Sequence, residues 1–314
     1  MIEKPQLTRR RVLTTGAGVA AAAAAVAVAG GALSGVRPAA AHGTLAPHNE
    51  IRNVPTYRQD LTTGAASRYT YGYQPNLYAK LEEWLAFHYV NTPPTYTYTP
   101  VNPGAVCLAG VHDDDDSGSM HYYGRAADIG TLVMWHSQHQ FAFDAFNARY
   151  HIWRNSPQMA EYRRRYWGVV MSMNKYFKYV LHYHFDKKHE THVHVDNQAS
   201  NGTLSTFTTD TRSQVKAVQA ACNYIYNQGT TIDGSFGDQT LLHSSQILAL
   251  TGWTGSILTS QAHWHRFCWA AMRSGHNLPI AGVGLTASDA KQLPVSTGPP
   301  GEQQLGDALQ RGLM

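Results

Sequence analysis

Two short stretches of the chain carry residues able to do chemistry. Residues 119–128 read SMHYYGRAAD, the spacing Ser-x-His-x-x-Gly-x-Ala-x-Asp, with His121 seven positions before Asp128. Residues 189–196 read HETHVHVD and place His189, Glu190, His192, His194 and Asp196 within one turn and strand. Alternate side chains of a strand share a face, so His192, His194 and Asp196 point one way while Val193 and Val195 pack the other way. Imidazoles on such a strand, beside a segment carrying a histidine and an aspartate, offer nitrogen and oxygen donors suited to a borderline-soft divalent cation, usually zinc. Histidine abundance adds nothing to this, since the chain has 17 histidines and repeats the His-x-His spacing at His182-Tyr-His184. That second pair is read as structural.

The pairing of SMHYYGRAAD with a downstream His-x-His resembles the zinc peptidase superfamily that includes lysostaphin-type enzymes, D-Ala-D-Ala peptidases and the hedgehog signalling domain. The likeness is to the D,D-peptidase branch and its extensin-like relatives in particular, and covers roughly residues 105–198. It implies one Zn2+ held by His121, Asp128 and His194, with His192 beside the metal without binding it. It also allows His189 a place just outside the ligands, and Ser119 and Arg125 are further candidates to flank them.

Two neutral imidazoles and one carboxylate leave a zinc ion with an open position for water, which it acidifies while polarising a scissile carbonyl. His192 is the first choice to take the proton from that water. Glu190 is the second, because it precedes His194 by four residues, a spacing unlike that of the carboxypeptidase relatives. Arg125 is open to two readings, a contact for a substrate carboxylate or an ion pair with Asp128. The run Asp113–Asp116 lacks the alternating ligands and glycine of a calcium loop and reads as a solvated acidic turn.

These residues need a scaffold, and the pattern around them predicts an α+β domain over 42–198 with a small antiparallel sheet. Residues 43–73 read as irregular. Pro75-Asn76 opens a helix whose Leu77, Leu81, Trp84, Leu85 and His88 recur at helical steps, and Pro93-Pro94 ends it. Residues 95–101 alternate as a strand, and 125–134 read as a buried strand after a glycine turn. A helical region is expected from about 137 to 179, broken near 153–157. Residues 178–184 and 191–196 then form a hairpin around the charged turn 186–190.

Residues 199–213, rich in Ser and Thr, read as a linker. Beyond it, residues 214–273 hold Val-x-x-Val-Gln, the turn DGSFGDQT, a second glycine turn and HWHRFCW. That order resembles the three-helix peptidoglycan-binding domain attached to many wall hydrolases, with Trp264 and His265 as wall-contact candidates and Trp269 as likely to be core as surface. Residues 274–314 read as a flexible tail. Cys222 and Cys268 fall in this module and form a candidate disulfide, whereas Cys107 is expected as a buried thiol.

The first 41 residues explain the charge balance. The chain carries 25 basic and 21 acidic groups, and this segment holds five of the former and one of the latter, leaving the remainder balanced. A generally basic nucleic-acid binder is therefore disfavoured. Paired arginines, a long uncharged Ala/Gly-rich stretch and Ala39-Ala40-Ala41 read as a twin-arginine-type signal peptide, hence a secreted protein without stable membrane insertion after cleavage. An uncleaved anchor is the alternative, weakened by the scarcity of Leu and Ile. The expectation is a secreted metallopeptidase acting on peptidoglycan stem peptides or crosslinks. The rivals are a non-catalytic zinc-containing wall binder and a glycan-cleaving hydrolase, the latter lacking a paired-carboxylate motif.

Overall fold

Helix α1 (Pro75–Asn91) starts where the sequence supplies a cap: the Gln74 side chain accepts from the Leu77 amide at 3.1 Å, with proline at the first helical position. Its apolar stripe, Leu77, Leu81, Trp84 and Leu85, is wholly buried. The chain is described from a computed structural model, which covers residues 44–92, 101–115, 118–136, 141–198 and 203–281. All of these belong to one compact unit, residues 39–314. The expected signal peptide, most of the expected strand 95–101, Asp116, the start of the linker and the tail beyond residue 281 lie outside the described residues.

The architecture is α+β. The main sheet runs β2 (Glu50–Ile51), β3 (Val54–Gln59), β6 (Val101–Gly110), β7 (Ala126–His136), β10 (Val193–Asp196) and β9 (Tyr179–Leu181). Strand β4 (Ala66–Arg68) adds to β3, and β8 (Phe141–Asn147) adds to β7. Strand β3 runs parallel to β6, and the other pairings are antiparallel. A separate ribbon pairs β1 (Ala46–His48) with β5 (Tyr71–Tyr73). Strand β7 is shared along its length, its first half laddered to β10 and its second half to β8. The hairpin of β9 and β10 forms as expected, though each strand is shorter.

Two expectations of local structure are corrected. Residues 46–73, read as irregular, form five short strands, each held by its partner more than by its own pattern. Residues 141–147, read as helix, form β8. The eleven-residue β7 leaves a backbone edge beyond the reach of β10, and the phenylalanine-rich FAFDAFN satisfies it. The helical region therefore reduces to α2 (Tyr150–Trp153) and α3 (Met159–Tyr176).

Helix α3 joins the sheet to the C-terminal helices α4 (Arg212–Tyr224), α5 (Asp238–Leu250) and α6 (Gln261–Gly275). One hydrophobic core runs through Leu81, Val169, Val195, Val218 and Trp264, so these helices have no separate core of their own. At the α3–α6 crossing Gly168 meets Gly275, and a Cβ on Gly275 would lie 2.6 Å from the Gly168 Cα. Small residues are needed there for the backbones to approach so closely. The stretch expected as a linker is packed from residue 203 onward: Lys80 donates to the Thr203 carbonyl, and Ser205 and Phe207 are buried. The start of the expected tail is packed too, with His276 buried and Arg164 donating to the Gly275 carbonyl at 3.1 Å.

The Val-x-x-Val-Gln and DGSFGDQT segments are tied by one side chain. Gln219 donates to Asp233 Oδ1 at 2.8 Å and to the Ser235 carbonyl at 3.0 Å, and accepts from the Gly234 amide at 2.9 Å. The candidate disulfide is absent: Cys107, Cys222 and Cys268 are buried thiols. Cys222 faces Thr230, and burial pushes its thiol up to about 12, whereas Cys268 lies near the Lys175 ammonium. The two sulfurs thus answer to different neighbours. No described helix is long and apolar enough to cross a membrane.

Candidate metal centre

The β7–β10 ladder sets His194 directly opposite Asp128. Cross-strand partners project from the same face, so this register alone brings a carboxylate and an imidazole together. The third member comes from the 3-10 turn Met120–Tyr123 that leads into β7. Ser119 caps this turn by accepting the His121 amide at 3.2 Å. Gly124 closes it in the left-handed region at φ +60°, where a Cβ would lie 2.5 Å from Leu45 Cδ2. Ser119 and Gly124 of the first motif are therefore explained by cap and turn, and Asp128 by its place opposite His194.

His121 Nε2, Asp128 Oδ1 and His194 Nδ1 converge on a common point. The separations are 3.2 Å from His121 to Asp128, 3.1 Å from His121 to His194 and 2.9 Å from His194 to Asp128. Ligands bound tetrahedrally at 2.0–2.1 Å stand about 3.3 Å apart, so the triangle is close to what one small ion requires. The three side chains are 13–19% exposed, so the cluster is largely shielded from solvent. These three could hold a metal ion, and among the described residues no other group of three or more His, Cys, Asp or Glu side chains is so placed.

The surroundings orient the ring atoms. His121 Nδ1 lies 3.0 Å from the Val111 carbonyl, which can only accept, so Nδ1 carries the proton and Nε2 turns a lone pair inward. Asp128 is pushed upward by burial, but its bonds to His121 and His194 outweigh this and hold the carboxyl well below the usual range. Burial disfavours a charged His194, yet bonds to Asp128 and Asp196 prevail and raise it to about 9. Without a metal, a proton on Nδ1 does part of the work a cation would do.

His192 stands beside the triangle, its Nε2 3.6 Å from Asp128 Oδ1. Burial lowers its pKa, although Asp128 opposes the shift. Thr191 Oγ1 lies 3.1 Å from His192 Nδ1 and reaches the Lys188 carbonyl at 3.4 Å. A hydroxyl donating to that carbonyl accepts from Nδ1 and leaves Nε2 as the basic nitrogen. His189 is nearly buried, its Nδ1 donating to Asp186 Oδ1 at 2.7 Å and its ring 5.1 Å from that of His192.

Other candidates have partners of their own. Glu190 lies in the 3-10 turn Lys187–Glu190, and its carboxylate pairs with Arg154 at 3.4 Å. Arg125 donates to Asn197 Oδ1 at 3.0 Å and to the Asn197 carbonyl at 3.1 Å, strapping the start of β7 to the end of β10. Asp113, Asp114 and Asp115 are exposed, as a solvated turn should be.

The wall-contact candidates do not form a surface. Trp264 is fully buried, stacked on Phe267 and donating to Ser205 Oγ at 2.8 Å; His265 donates to the Ser205 carbonyl at 2.9 Å. Trp269 is core, its indole donating to Asn91 Oδ1 at 3.0 Å. Helical spacing alone did not separate an outward aromatic from one facing α3. The decoy pair is structural: His182 is buried against the Ser213 carbonyl, and His184 stacks on Trp167 and Tyr224.

Asp196, the Val111 carbonyl and Thr191 were given no role from sequence. Asp196 was signalled by the period-two pattern of HVHVD, whereas a carbonyl contact carries no sequence signal. No family model, curated protein or solved structure matches the chain.

Proposed function

We propose that this chain is a secreted zinc metallopeptidase that hydrolyses D-amino-acid-containing peptide bonds of peptidoglycan. The reading is carried by the convergence of His121 Nε2, Asp128 Oδ1 and His194 Nδ1 within 3.2 Å, from the two motifs whose pairing resembles the zinc D,D-peptidases. Two imidazoles and one carboxylate suit zinc and leave a formal charge of about +1 with room for a further ligand. A bound zinc ion supplies a Lewis acid for a peptide carbonyl and for water.

The protein's own residues supply the rest. His192, kept neutral by burial, presents Nε2 toward the site and takes a proton from water there. Thr191 holds the opposite ring nitrogen and keeps the imidazole in one tautomer. Asp128 places one oxygen 3.2 Å from His121 Nε2 and 2.9 Å from His194 Nδ1, where all three could share an ion. Glu190, paired with Arg154, ranks second as the base.

The test is zinc content and fragment release from purified sacculi, for the native chain and His194→Ala. The native protein is expected to hold one zinc and to release peptides, with activity abolished by chelation and restored by zinc. His194→Ala is expected to lose the ion and roughly 1000-fold or more in rate. Equal zinc and equal release in both proteins would refute the assignment; zinc without fragments would mark a wall binder.

A further inference from the structure

We infer that Asp196 is a positioning residue that commits His194 to bind the metal through Nδ1, with Nε2–H held on the Asp196 carboxylate. The inference rests on the metal reading above and adds a residue to it. His194 lies between two carboxylates on opposite edges of its ring. Asp128 Oδ1 is 2.9 Å from Nδ1, inside the ligand triangle, and Asp196 Oδ2 is 3.5 Å from Nε2, outside it. The imidazole therefore separates Asp196 from the ligand cluster, so Asp196 is not itself a fourth ligand.

The strand explains why the contact exists. His194 and Asp196 share a face of β10, and Asp196 sits opposite Ala126 across the ladder. The methyl side chain of Ala126, the alanine of the first motif, leaves the carboxylate space beside it. Asp196 is 7% exposed, and a carboxylate so buried requires partners. One is local: Oδ1 accepts the Gln198 amide at 3.0 Å, an ordinary turn contact. That contact accounts for Oδ1 alone, and Oδ2 faces the ligand histidine. A ligand imidazole whose outer N–H is held by a carboxylate is fixed in tautomer and orientation, and becomes a better donor.

The two ligand histidines are consequently set by unlike devices. A neutral carbonyl, Val111, holds His121 and turns Nε2 inward, whereas a charged carboxylate holds His194 and turns Nδ1 inward. Only the second adds negative charge behind a ligand, so its removal should weaken metal binding without disturbing the turn that carries His121.

The experiment measures zinc affinity by competition with a chromophoric chelator, for the full chain and for Asp196→Asn. The asparagine keeps an oxygen for the Gln198 amide but loses the charge facing Nε2–H. Affinity is expected to fall about 10- to 100-fold, with the melting temperature of the zinc-free protein unchanged. Asp186→Asn, which alters the partner of His189 instead, is expected to leave zinc affinity unchanged. Equal affinity for native and Asp196→Asn proteins would overturn the inference while leaving the metal reading intact; a native chain that takes up no zinc would overturn both. A measurement on the native protein needs no variant to fold: long-range nitrogen–proton NMR of the zinc-loaded chain should show His194 protonated on Nε2. Protonation on Nδ1 would overturn the inference outright.

Discussion

The face that carries the His121, Asp128 and His194 cluster and the helical region behind it are built on opposite rules. At the face, polar atoms are gathered at 2.9–3.6 Å around Asp128, and each ring is held by a carbonyl, hydroxyl or carboxylate. In the helical region, Trp264, Trp269 and Trp167 are buried, and their polar atoms are satisfied singly. The face spends charge on geometry, and the helices spend apolar volume on stability. Chemistry and cohesion are thereby separable even though the core is continuous.

Trp264→Ala presses hardest on that separation. Removing a fully buried indole should cost about 3–5 kcal/mol, read as a shift in the urea midpoint, while zinc affinity of the folded fraction stays at the native level. Loss of zinc affinity in step with stability would show that the two regions are one cooperative device. A second comparison stays within the face. His192→Gln should slow peptide release roughly 100-fold, the usual worth of a positioned base, with zinc content unchanged. Glu190→Gln should leave the rate nearly as it was, since Arg154 engages that carboxylate; the reverse ranking would transfer the role of base to Glu190.

The last test uses acid. Burial lowers His88 and His182 to about 3, so between about pH 6.5 and 3 the unfolded chain takes up protons that the folded chain refuses. Their contribution to stability is full above pH 6.5 and is lost as pH falls, by about 1.4 kcal/mol per pH unit for each group. Unfolding of the zinc-free protein in urea at pH 7, 6, 5 and 4 measures this, and a flat profile would show that these rings do not remain neutral.

The legible parts of the molecule are those in which a local rule and the fold agree. Helix α1 announces itself through Pro75 and a regular apolar stripe, and the HVHVD strand through strict alternation. The convergence of His121, Asp128 and His194 was legible because both motifs are short and β7–β10 pairing needs no unusual geometry. Strand β8 was not, because FAFDAFN acquires its conformation from the unpaired length of β7. The short strands before α1 are likewise made by their partners. The place of the C-terminal helices depends on glycines at 168 and 275, which no periodicity marks as partners. Trp264 has the composition of a contact residue and the surroundings of a core residue, and only the fold of residues 203–208 over it decides between them.

The contact of Gly168 with Gly275 has a mechanical consequence. Two backbones pressed together without intervening side chains leave no slack for the C-terminal helices to swing on a tether. A side chain at either position would force α3 and α6 apart, and with them the core that both helices share with the sheet.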